Sequence, residues 1–137
     1  MSVHQNKRLW QRHVLAENRR SIEGLLATLS AEPVYQIMAT GAIHRGREAV
    51  ASFYSGLFES MPNVTFNLMD VFVAENGVVE ESVMVGTHTG DLFGLPPSGR
   101  PVRLPLTIVF PMHAGQILGE RLYFDLDALQ RQVGMRG

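Results

Sequence analysis

"VTFNLMDVFVAENGVVEESVMVGTHTG", residues 64–90, decides the fold class. Two runs rich in valine, phenylalanine and threonine flank Asn76-Gly77, and that dipeptide between apolar runs is the strongest short-range signal for a β-hairpin. Helical spacing rules the chain up to Pro62, and the period of sheet takes over after it. Downstream, "DLFGLPPSGR" (91–100) reads as a loop, "PVRLPLTIVFPM" (101–112) as a strand and His113-Ala114-Gly115 as a turn. "QILGERLYFD" (116–125) is then a last strand that runs into a short helix.

Upstream, Leu9, Trp10, Val14, Ile22, Leu25, Leu26 and Leu29 fall at helical spacing, interrupted at Asn18. Ser21 is a natural N-cap for a second helix through Leu29, which Pro33 ends. "VYQIMAT" (34–40) offers a short strand. In "GREAVASFYSGLFESMPN" (46–63), Val50, Phe53, Tyr54, Leu57, Phe58 and Met61 share one apolar helical face that closes at Pro62. Three helices feeding a hairpin-connected, mostly antiparallel sheet predict an α+β cone, with the helices packed on one curved sheet face and a short helix at the end. Such a cone encloses a blind apolar cavity, the natural place for a small-molecule site.

The chain has 137 residues, 45% of them hydrophobic, enough for one core and one domain over 1–137. Twelve basic and thirteen acidic residues are scattered along it, so no concentrated positive field is available for nucleic acid. No apolar run approaches the roughly 20 residues of a membrane span, and the first twenty residues are too polar for a signal peptide. No membrane contact and a cytoplasmic location are the expectation. Without cysteine there is no disulfide, thiolate zinc site or cysteine nucleophile. The histidines at 4, 13, 44, 88 and 113 include no closely spaced pair, and the glycines do not form a G-x-G-x-x-G loop, so neither metal nor nucleotide cofactor is expected.

"GTHTGDLFGLPPSGRPV", the following strand and turn, and "GERLYFDLDALQRQVG" together resemble the SnoaL-like polyketide cyclase (ester cyclase) branch of the nuclear transport factor 2-like superfold. The N-terminal helices and the "GREAV" helix start extend the likeness over nearly the whole chain. The resemblance implies a cone fold, a small apolar organic ligand, no cofactor, and cyclisation, isomerisation or epoxide hydrolysis by acid/base chemistry. It also implies a homodimer joined sheet to sheet. One superfold hosts many activities, so reaction type must come from the site. Laid onto "RLYFD", the aspartate that related enzymes carry on the last strand falls at Leu122.

Glu120, two residues earlier and on the same strand face as Leu122, is the replacement candidate. With Leu118, Leu122 and Phe124 as same-face neighbours it would meet apolar surroundings, where a carboxyl makes a useful general acid or base; the other reading is a salt bridge to an arginine. His88 is a helper candidate at a strand end, or a side chain that holds the long loop. Of Glu80 and Glu81, one must face inward, and Glu81 is the candidate second acid; both could also be solvated. Leu122, Phe124, Tyr35 and Tyr54 are candidates for the pocket wall, with Tyr54 also suited to the core. Tyr123 and Arg121 lie on the face opposite Glu120, and an inverted register would bring Tyr123 into the cavity as a donor. Asp125 suits the N-cap of the last helix better than catalysis. A binding protein that kept the cavity and lost the chemistry is the rival reading, and a dimer module whose cavity is filled by its own Phe and Met side chains is a third.

Overall fold

A computed structural model describes residues 2–135. In chain order it has α1 (Val3–Asn18), α2 (Ile22–Ala27), β1 (Leu29–Ile37), β2 (Ala42–Arg45), α3 (Arg47–Ser60), β3 (Thr65–Ala74), β4 (Gly77–Thr87), β5 (Pro101–His113), β6 (Gln116–Tyr123) and α4 (Leu126–Gln132). The six strands form one sheet in the order β2-β1-β6-β5-β4-β3. Only β1 and β6 run parallel among these neighbours; the rest are antiparallel. The helices α1 and α3 lie on the inner face, against β3 and β4 and against β1 and β2 respectively.

Local chemistry accounts for most boundaries. Ser2 and Gln5 form a reciprocal capping box at the start of α1, and Ser21 accepts from the Gly24 N–H to start α2. Ala114 and Gly115 both take positive φ (50° and 79°), the requirement of a type I′ hairpin between β5 and β6. The β3–β4 hairpin pairs Ala74 with Gly77, so its two loop residues are Glu75 and Asn76. Asp125 accepts from the Ala128 N–H at 3.1 Å and caps α4. Asp125→Ala is expected to lower stability by about 1 kcal/mol, read as a shift of the denaturant midpoint with unchanged slope.

Two sequence expectations are corrected. The second helix stops at Ala27, and β1 begins at Leu29 and carries Pro33 within it. Proline is tolerated there because the β1–β6 ladder is irregular between Leu29 and Val34, where no N–H is required. Leu118 does not share the face of Glu120: it is exposed, while Ile117, Glu120 and Leu122 are all buried. Between the pairs Met112–Ile117 and Val109–Arg121, β6 advances four residues for three on β5, a bulge that resets the alternation of side chains. Gly119 sits in this bulge, where an added Cβ would lie 1.9 Å from the Val34 carbonyl oxygen.

One hydrophobic core fills the space between sheet and helices, from Leu9 and Trp10 of α1 through Leu104, Ile108 and Phe110 of β5 to Leu129 of α4. Beyond the end of β6, α4 covers the free edge of β5. Gln132 accepts from the Arg103 N–H at 2.8 Å and donates to the Arg103 carbonyl at 2.9 Å, standing in for a strand neighbour. Among the described residues no helix is long and apolar enough to cross a membrane.

Candidate functional site

The bulge in β6 turns Glu120 into the cone. There its Oε2 meets His13 Nε2 at 2.9 Å and accepts from the Tyr54 hydroxyl at 2.8 Å. Tyr35, opposite Glu120 in the β1–β6 register, reaches the Tyr54 hydroxyl through a short hydrogen bond. Because Tyr54 donates to Glu120, Tyr35 is the donor to Tyr54. Tyr54 also lies 3.2 Å from His13 Nε2. On the far side of the imidazole, Nδ1 lies 2.8 Å from Thr28 Oγ1. Five side chains from α1, β1, α3, β6 and the end of α2 thus form one continuous network, all of it buried.

A second buried carboxylate stands nearby. Glu80 of β4 accepts from Trp10 Nε1 at 2.9 Å and from the Ser82 hydroxyl in a short bond. Glu17 completes the set on α1. Asn6, Trp10, His13 and Glu17 lie at spacings of four, three and four, so one helical stripe faces the cone. Burial pushes the Glu17 carboxyl well above the usual carboxylate range, and the charges of Glu120 and Glu80 push it further. Burial likewise raises Glu80, partly offset by the hydrogen bonds from Ser82 and Trp10. Burial and the charge of Glu120 raise both Tyr35 and Tyr54, which keeps these phenols protonated and able to donate.

These shifts carry a sign. A carboxyl that ionises at higher pH in the folded protein than in the unfolded chain contributes stability that is complete below about pH 4.5 and is lost as pH rises through the folded value. The wild type should therefore lose up to about 1.4 kcal/mol per pH unit relative to Glu17→Gln over that window. Melting temperatures of both proteins from pH 4.5 upward check this; parallel curves would exclude it.

Between α3, the β1–β2 hairpin and the 91–94 loop lies a cleft of about 540 Å³. Ile37, Phe53, Leu57, Leu92 and Phe93 give it apolar walls, and His44 adds a polar group. Phe53 separates cleft and network: its ring lies 5.1 Å from that of His44 and packs on Tyr35 and Tyr54 at 5.7 and 5.5 Å.

Of the residues singled out from sequence, the structure brings Glu120, Tyr35, Tyr54 and Leu122 together, with Leu122 paired to Ile37 beside the network. The others lie elsewhere. Glu81 is exposed on the outer sheet face, and Glu80 is the inward member of the pair. His88 is buried but spans Ser98 Oγ at 2.9 Å and the Leu95 carbonyl at 3.1 Å, so it fastens the 91–100 loop. Tyr123 is exposed on the outer face, and Phe124 packs on Phe93 at 4.8 Å. Sequence reasoning missed His13, Glu17, Trp10 and Thr28. Its available signal was a histidine and a glutamate in phase with Trp10 on the apolar stripe of α1, where polar side chains are rare unless paired.

Comparison with known proteins agrees with this architecture. No curated protein matches the sequence. A proposed SnoaL-like polyketide cyclase from Jannaschia sp. CCS1 superposes with a TM-score of 0.86 at 23% identity, covering 98% of this chain and 94% of the other. A proposed polyketide cyclase from Xanthomonas campestris pv. campestris has a TM-score of 0.80 at 27% identity over 95% and 97% of the two chains. A Catenulispora acidiphila protein with a ketosteroid isomerase-like fold has a TM-score of 0.78 at 20% identity over 93% of each. The model of the SnoaL-like polyketide cyclases matches residues 7–133, nearly the whole described chain, and this protein belongs to that family.

Proposed function

We propose that this protein binds a small, mostly apolar organic molecule carrying a carbonyl or epoxide group and transforms it by acid/base chemistry in which Glu120 moves the proton. The observation that carries this reading is Glu120 held by both His13 and Tyr54 inside the cone. A positioned carboxylate can take a proton from carbon next to a carbonyl, and His13, at 2.9 Å, can take up or return a proton through Nε2 to reset Glu120. Tyr54, with the Tyr35 hydroxyl donating to it, can turn its own hydrogen from Glu120 to a substrate oxygen and stabilise developing negative charge there. Ring closure, isomerisation and water addition to an epoxide each need only these parts and a dry pocket. His13 fills the helper role that sequence assigned to His88 or Glu81. The substrate approaches through the cleft, and its reacting atoms reach Tyr54 when the Phe53 ring swings aside.

A second reading, a binding protein of the same fold, is favoured by the burial of the whole network behind Phe53. Exchange of α-protons distinguishes the two. Apolar ketones and β-keto esters incubated with the protein in deuterated water should show catalysed deuterium incorporation by NMR. Ligands that bind, by calorimetry, yet exchange at the uncatalysed rate throughout the panel would leave the binding reading.

We also infer a homodimer formed through the outer sheet face, where Met69 (67% exposed), Phe72 (55%) and Tyr123 (41%) are open to solvent. Exposed apolar area of this kind is commonly an interface. Light scattering should give twice the chain mass, and a monomer at micromolar concentration would refute it.

A further inference from the structure

The hydroxyl of Thr28 has one proton, and that proton is committed. Thr28 Oγ1 donates to the Leu25 carbonyl at 2.6 Å, in the last turn of α2, so only its lone pairs face His13 Nδ1 at 2.8 Å. The residue is held on both sides: its N–H donates to the Leu25 carbonyl at 3.1 Å and its carbonyl accepts from the Ile117 N–H at 3.0 Å. With Oγ1 an acceptor, Nδ1 must carry a hydrogen, because the other tautomer would set lone pair against lone pair.

We propose that Thr28 is a positioning residue that fixes the tautomer of His13, keeping hydrogen on Nδ1 and leaving Nε2 as the atom that shares one proton with Glu120. The pair then has two states. In one, an imidazolium faces a carboxylate; in the other, a neutral imidazole accepts from a carboxylic acid. Nδ1–H and Thr28 are the same in both, so a proton crosses between Nε2 and Oε2 with no rearrangement around the ring. The other groups facing His13 and Glu120 are Tyr54 from α3, Tyr35 from β1, Phe110 from β5 at 5.4 Å from the imidazole, and the carboxyls of Glu17 and Glu80. None of them offers an acceptor to Nδ1. The catalytic meaning of this arrangement rests on the acid/base reading given above, but the tautomer itself does not.

The first test needs no substrate. In ¹⁵N-histidine-labelled protein, with His13 assigned by the signal lost in His13→Asn, Nδ1 should carry hydrogen in the folded state. A bare Nδ1 with hydrogen on Nε2 in the wild type overturns the proposal outright. Thr28→Val keeps the shape and removes the acceptor; it should populate the Nε2–H tautomer, and Thr28→Ser should restore the Nδ1–H form. An unchanged tautomer in Thr28→Val would also overturn it. For a substrate found in the exchange panel, Thr28→Val should lower kcat and leave KM in place, with recovery in Thr28→Ser. If the tautomer moves as expected while no exchange is catalysed by any variant, the positioning role stands and the acid/base reading fails.

Discussion

Glu120→Gln is expected to reduce catalysed α-proton exchange by about 10²- to 10⁴-fold, the range lost when a positioned acid/base group is removed. The carboxamide has the size of the carboxyl but neither takes nor gives a proton at the pH of assay. The fold should survive. With its nitrogen at the position of Oε2, the carboxamide can donate one N–H to neutral His13 Nε2 and the other to the Tyr54 oxygen, which leaves the Tyr54 hydroxyl hydrogen as the one donor to be re-paired. Replacing a charged hydrogen bond by a neutral one costs about 1–3 kcal/mol, well within the stability of a domain of this size. Exchange rates and melting temperature measured on the same preparation check both halves. Turnover equal to wild type in a folded variant would remove Glu120 from the mechanism and, with it, the reading of the buried network as an active site.

Gly119→Ala should be the most damaging single methyl addition for the fold, at about 4 kcal/mol or more. The built Cβ lies 1.9 Å from the Val34 carbonyl oxygen and 2.7 Å from its carbon, and both are backbone atoms that cannot rotate away. Relief requires β1 and β6 to separate at the parallel pair that joins the N-terminal half to the rest of the sheet. A fall in melting temperature on the order of 15 °C, or no folded protein, is the expected outcome. Gly56→Ala is the control. It lies within α3, with nothing within 4 Å of the added Cβ, and should gain up to about 1 kcal/mol from helix propensity. If Gly119→Ala melted like the control, the bulge would not be the device that turns Glu120 inward.

The fold was legible because its signals are local. Asn76-Gly77, Ala114-Gly115, the caps at Ser21 and Asp125 and the change of period at Pro62 each act within a few residues, and the three later helices, the β3–β4 and β5–β6 hairpins and the last strand form at those signals, while the end of the second helix and the start of β1 do not. Glu120 is a candidate from its place in a short apolar strand, but that place leaves its direction open between the cavity and a salt bridge. Its neighbour Leu118 was misplaced because a bulge is a property of two paired strands, and no single strand records it.

The pair Glu80-Glu81 marks another boundary. Of the alternating sets of β4, Val79-Glu81-Val83-Val85 is more apolar than Val78-Glu80-Ser82-Met84, yet it is the second set that faces the cone, so the period of two exists but misleads about which face is inside. His13 shows the limit most clearly. It meets Glu120 across 107 residues of chain, and Trp10 meets Glu80 across 70. Elements, turns and caps follow from residues adjacent in the chain, whose geometry bond rotations and nearby hydrogen bonds settle. The acid cluster exists only where α1 is laid across the sheet, because partners so far apart in sequence are chosen by packing and by the need to pair every polar group that packing buries.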